Sequence, residues 1–159
     1  MDPRLPPWWG APFDAADVAH ARVEDDLENA DYAAGIVTLG SARWRIRTAR
    51  ITPTKPGGFV SAWRRGDDGI TEPFTADPTL AGMIVFIEDR EHRGAFVWDT
   101  TRLTELGILR SSANPGKRGF RVYPSWCTGL NRQAEATQRR QAAGFVNLSQ
   151  EQAGPSTTY

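Results

Sequence analysis

Two short segments set cations beside glycines in a way that suits phosphate oxygens. The first runs Ile51-Thr52-Pro53-Thr54-Lys55 and continues into Gly58-Phe59-Val60. The second runs Gly116-Lys117-Arg118-Gly119-Phe120-Arg121-Val122-Tyr123-Pro124, with Trp126 just beyond it. Lysine and arginine neutralise a phosphate, exposed backbone N–H groups donate to it, and glycine lets the ligand approach the main chain. Tyr123 or Trp126 offers a flat ring for a base, a contact that contributes about 1–3 kcal/mol where it forms. The phosphate candidates are therefore Lys55, Arg64, Arg65, Lys117, Arg118 and Arg121. A structural reading competes with this one: Gly116 and Gly119 shape a turn, the cations are solvated, and Tyr123 and Trp126 belong to the core.

The distribution of charge favours an anionic partner for part of the surface. Residues 36–66 carry seven basic side chains and no acidic one, and residues 108–145 carry seven basic side chains and only Glu135. The acids collect in residues 1–35 and 67–107, so a net charge of zero conceals local fields of both signs. Two basic surfaces are expected, with Arg132, Arg139 and Arg140 of a last helix adding to the second.

Other chemistries fit less well. A phosphate-binding P-loop is excluded, because Ser111 stands where its first glycine belongs and Arg118 replaces the residue that holds magnesium. His20, His92 and Cys127 have no zinc-like spacing. A metal-dependent nuclease needs grouped carboxylates, one of them two places before a lysine; here Pro53 and Pro115 occupy those places. An atypical nuclease would have to draw on Asp31, Glu88 and Asp89. Glu88-Asp89 and Asp67-Asp68 are otherwise ordinary loop acids. No catalytic residue, metal ligand or cofactor is assigned.

A chain of 159 residues at 40% hydrophobic suits one domain over residues 13–148 to hold these groups. A mobile Pro/Trp-rich arm is expected at 1–12 and a mobile tail at 149–159. Trp8 and Trp9 either dock on the protein itself or, with an acidic first helix, meet a regulator or second copy. A lone cysteine suits a reducing cytoplasm, and neither a signal peptide nor an apolar run of about 20 residues is present, so no membrane partner is expected.

Asp14 caps a predicted helix reaching residue 29, and residues 36–51 read as a hairpin whose Arg43, Arg45 and Arg47 share one face. The alternation shifts phase at Arg50. Residues 59–65 and 83–87 are apolar on both faces and read as central strands, the second paired with residues 95–98. Asp99 caps a short helix that stops at Gly107. A turn at Asn114-Pro115-Gly116 precedes a strand at 120–123, and residues 130–146 read as the last helix. This order predicts an α+β fold around a mixed sheet.

The chain resembles the MepB-like family over about residues 28–148. The resemblance is carried by Ile-Thr-Pro-Thr-Lys at 51–55, Gly58-Phe59-Val60, Trp63 with Arg65, Gly94 and Phe96, Gly107-Ile108, the run 116–124 with Trp126, and Gln133-Ala134 with Thr137-Gln138. Asp31-Tyr32 stands where relatives carry Glu-Tyr, and the N-terminal arm has no counterpart. The resemblance implies a bacterial protein with a restriction-endonuclease-like fold of the PD-(D/E)xK type, a central mixed sheet flanked by helices, without the nuclease catalytic residues. It also implies binding of nucleic acid, single strands or RNA included, rather than cleavage.

Overall fold

Alternating apolar and polar side chains set several of the strands that dominate the regular structure of this chain. The computed structural model describes residues 2–27 and 34–149. In order, its elements are α1 (Ala15–Ala19), β1 (Arg22–Glu24), β2 (Gly35–Leu39), β3 (Ala42–Thr48), β4 (Arg50–Ile51), β5 (Gly58–Ser61), β6 (Trp63–Arg65), β7 (Thr71–Pro73), β8 (Gly82–Asp89), β9 (His92–Asp99), α2 (Thr100–Glu105), β10 (Gly119–Val122), α3 (Arg132–Gln141) and β11 (Phe145–Asn147). Six strands form one sheet in the order β1-β2-β3-β8-β9-β11. β3 runs parallel to β8 and the other neighbours are antiparallel, so the predicted α+β fold with a mixed sheet holds.

β8 is the centre of this arrangement because its side chains are apolar on both faces. Met83, Val85 and Ile87 join Phe96 and Trp98 in one core, while Ile84 and Phe86 join Val37 and Ile46 in another. Successive side chains of a strand point to opposite faces, so the two cores lie on opposite sides of the sheet. Between β3 and β8 the chain leaves the main sheet at Ala49 and forms the β6-β7 pair and two strands of a second small sheet, ordered β10-β5-β4, which β10 completes from later in the chain. This second sheet covers the core of Met83 and Val85, with Val60, Phe120 and Val122 turned inward. Its outward face is where the two glycine-bearing segments meet.

The N-terminal arm covers the other core instead of standing apart from the domain. Leu5 and Trp9 are buried there, and the Trp8 ring meets Phe86 edge-on with centroids 5.8 Å apart. Arg4 fastens the arm by pairing with Asp2 at 2.8 Å and with Asp25 at 2.9 Å. That guanidinium, through its side-chain hydrogen bond, holds the Asp2 carboxyl down at about 2. The two tryptophans are thus engaged by the protein's own core, which removes the aromatic anchor from the regulatory-module reading.

Further expectations are corrected. Asp14 does cap a helix, accepting from the N–H of Ala16 at 2.9 Å and of Asp17 at 3.1 Å, but the helix ends at Ala19. Val23 then pairs with Val37 in the sheet, because alternation over Arg22–Glu24 gains a strand neighbour that a thin helical stripe cannot match. Residues 28 and 29 lie outside the described residues. The run 59–65 divides, since β5 pairs with β10 and β4 while β6 turns away to pair with β7. The last helix is α3, capped by the Asn131 side chain at 2.8 Å from the Ala134 N–H; Gly144, at φ 94, then turns the chain into edge strand β11. Ser149, the first residue of the expected tail, is buried, and its hydroxyl accepts from the Arg93 N–H at 3.2 Å. Residues 150–159 lie outside the described residues.

Candidate nucleic-acid interface

The basic block at 36–66 is reduced by partners drawn from the acidic stretches. Arg43 pairs with Glu24 at 2.5 Å, and Arg64 pairs with Glu72 across the β6-β7 ladder. Arg45 and Arg47 are buried and reach the buried carboxylate of Asp26 at 3.1 and 2.9 Å, with Arg45 stacked 3.7 Å above the Phe74 ring centre. The shared arginine face of β3 is therefore largely internal, which corrects the expectation of a basic surface there. Arg50, Lys55 and Arg65 form no ion pair with any described carboxylate, and neither do Lys117, Arg118 and Arg121.

Pairing of β5 with β10 brings the two glycine-bearing segments together. Gly58 lies opposite Val122, Phe59 opposite Arg121, and Ser61 opposite Gly119, while Arg50 of β4 lies opposite Phe59 on the other side. Directly opposed residues project to the same face. Arg50, Phe59 and Arg121 thus form one cross-strand row on the outward face, with the Arg50 guanidinium 5.9 Å from the Phe59 ring centre. Arg121 is locked in place, its guanidinium donating to the Pro56 carbonyl at 3.0 and 3.2 Å and to the Thr52 hydroxyl at 2.9 Å. It ties the first segment to the second. All of these acceptors are neutral, so its charge is undiminished.

Two glycines are required by this geometry. Gly57 has φ 73, and a Cβ there would come 2.1 Å from the Val122 carbonyl oxygen, so this turn can close only around a glycine. At Gly119 a Cβ would fall 2.4 Å from Cζ of Phe59. The ring leans over the neighbouring strand because Gly119 has no side chain.

The other predicted residues divide by location. Lys55 and Lys117 are exposed at opposite ends of the β5-β10 pair, with Arg121 between them in the chain of contacts. Arg65 donates to the Gly69 carbonyl at 2.8 Å and lies 5.4 Å over the Trp63 ring, and Arg118 donates to the Thr71 carbonyl at 3.2 Å. Trp126 is occupied: it stacks on His92 at 5.0 Å and 15° and meets Phe145 edge-on at 5.8 Å. One face and one edge of Trp126 are thereby engaged, while the ring stays partly exposed and lines the groove beside Lys55. Phe59 and Arg50, not singled out as ligand contacts by the sequence, form another partly exposed aromatic position beside a cation; the alternation Phe59, Ser61, Trp63 was the available signal.

The MepB-like family matches residues 26–147. A solved structure, the crystal structure of MepB, shares 32% identity and a TM-score of 0.74, covering 80% of this chain and 85% of that one. The chain belongs to the MepB-like family. No curated protein matches it. In this MepB-like chain the whole Arg50-Phe59-Arg121 row lies within the matched span.

Two depressions flank the row on the MepB-like scaffold. One lies between β10 and α3 and contains Lys117, Arg121, Tyr123 and Arg140. Gln141, buried at the back of it, serves as a surrogate strand for the edge of β10: its Oε1 accepts from the Tyr123 N–H at 2.9 Å and its Nε2 donates to the Arg121 carbonyl at 2.8 Å. The other is a groove beside Lys55 that also contains Asp89, Glu91, His92 and Cys127. Burial pushes the Cys127 thiol up, so it is a poor nucleophile at neutral pH. Glu88 and Asp89, weighed as metal ligands, pair across the hairpin with Arg93 and His92. Among the described residues no three of His, Cys, Asp or Glu gather where they could hold a metal ion; Asp31 lies outside the described residues.

Proposed function

We propose that this protein binds single-stranded nucleic acid, DNA or RNA, across the outward face of the β10-β5-β4 sheet without cleaving it. One observation carries this reading: Arg50 and Arg121, neither of which forms an ion pair with a described carboxylate, flank the half-buried ring of Phe59 on one sheet face. Arg50 and Arg121 would hold successive phosphates and Phe59 an unpaired base between them. A duplex keeps its bases stacked inside and would offer this face only phosphates, so single strands are favoured. The scaffold is taken as endonuclease-like but used for binding, since the face presents cations and an aromatic rather than grouped carboxylates.

A fluorescence-anisotropy titration with a single-stranded oligonucleotide at several salt concentrations tests this. Each phosphate neutralised contributes about −0.7 to the slope of log K against log salt. Affinity should fall steeply as salt rises, and Arg50→Ala should make the slope shallower by about 0.7. Arg50 is exposed and forms no ion pair among the described residues, so the melting temperature of that variant should stay near the wild-type value. Absence of binding at low salt, or a salt-independent affinity, refutes the reading.

A further inference from the structure

The depression between β10 and α3 has a composition suited to one kind of ligand. Lys117 and Arg140 bring two cations to it, no acidic residue lines it, and Asn131 and Thr137 add neutral polar groups from the start and length of α3. Its remaining surface includes Leu106, Ile108 and Phe120, and Tyr123 stands at its side. The volume is about 280 Å³, at the small end for a ligand pocket and suited to one nucleotide rather than a continuous strand. Arg121 borders this cleft with its strand, while its guanidinium turns to Pro56 and Thr52 and serves the row with Arg50 and Phe59.

We infer that the cleft receives a nucleoside phosphomonoester, presented as the phosphorylated end of the strand lying on the sheet. This rests on the function proposed above. A phosphomonoester carries about −1.5 to −2 charge at neutral pH, whereas each internal phosphodiester carries a single negative charge. Two cations with no carboxylate among them therefore favour the end over the middle of a strand. Arg140 is already oriented by a neutral oxygen, donating to the Glu105 carbonyl at 2.7 Å. Lys117 is exposed and has no side-chain partner among the described residues, which leaves its ammonium available to the phosphate. Tyr123 supplies the flat surface beside the terminal base.

The test compares oligonucleotides of one sequence carrying a 5′-phosphate, a 3′-phosphate or hydroxyls at both ends, with a nucleoside monophosphate as a fourth ligand. One phosphorylated end should bind about tenfold more tightly than the hydroxyl-ended strand. Lys117→Ala should abolish that preference, while Arg139→Ala, an equal loss of charge on α3 outside the cleft, should preserve it. Equal affinity for all three strands overturns the inference and leaves the proposed function standing, and so does an equal effect of the two substitutions. If no strand binds but the monophosphate does, the cleft is a free-nucleotide site and the proposed function fails. Binding of neither overturns both.

Discussion

Asp26→Ala should lower the unfolding free energy by about 3–5 kcal/mol, the range for breaking a buried ion pair by removing one partner. Asp26 is 1% exposed and accepts from Arg45 at 3.1 Å and from Arg47 at 2.9 Å. Removing it leaves two guanidiniums, themselves 5% and 3% exposed, beneath a sheet without that carboxylate. Both lie against the Phe74 ring, Arg45 at 3.7 Å and Arg47 at 5.6 Å, so neither can reach water without disturbing the core. Glu24→Ala provides the comparison: its pair with Arg43 is more than a third exposed on both sides and should cost less than about 1 kcal/mol. Urea unfolding of the two variants decides the matter. Equal losses would mean that the Asp26 cluster is not the electrostatic keystone of β3.

Phe59→Ala should weaken binding of a single strand by about 1–3 kcal/mol, the range measured for losing one stacked base. That is roughly fivefold to 150-fold in dissociation constant. The ring is half-buried on the outward face, so the fold should survive its removal, and Phe59→Trp should retain most of the affinity because the platform is flat in both cases. Duplex affinity should change little, which separates loss of stacking from general damage. Trp126→Ala is the informative contrast. Its ring packs against His92, Phe145 and the core, so its loss should be felt in the melting temperature before it is felt in binding. If Trp126→Ala instead abolished binding in a fully folded protein while Phe59→Ala did nothing, the base platform would lie at Trp126.

Much of the scaffold was legible from local pattern. The β2-β3 and β8-β9 hairpins, the Asp99 cap and the stop at Gly107 each follow from side-chain alternation or a single turn residue, and these interactions are short in sequence. What escaped was decided by distant partners. The arginines of β3 alternate with apolar residues as surface cations would, and only the approach of Asp26 makes them internal. Trp126 has the composition of a ligand platform but is claimed by His92 and Phe145, from strands far from it in the chain. Arg50 marks a break in alternation because the chain changes sheets there, and its place beside Phe59 follows from a cross-strand register that periodicity does not encode. The pairing of residues 58–61 with 119–122 likewise joins two segments whose individual compositions were visible and whose adjacency was not.

The central claim is that these joined segments form the surface that meets a polyanion. Amide chemical-shift mapping of isotope-labelled protein during titration with a short single strand locates that surface directly. The account predicts that the largest shifts fall on residues 50–51, 58–61 and 117–123, with β1 and β2 nearly unmoved. Shifts concentrated on the β1 edge or the N-terminal arm, with residues 58–61 and 119–122 silent, would contradict it.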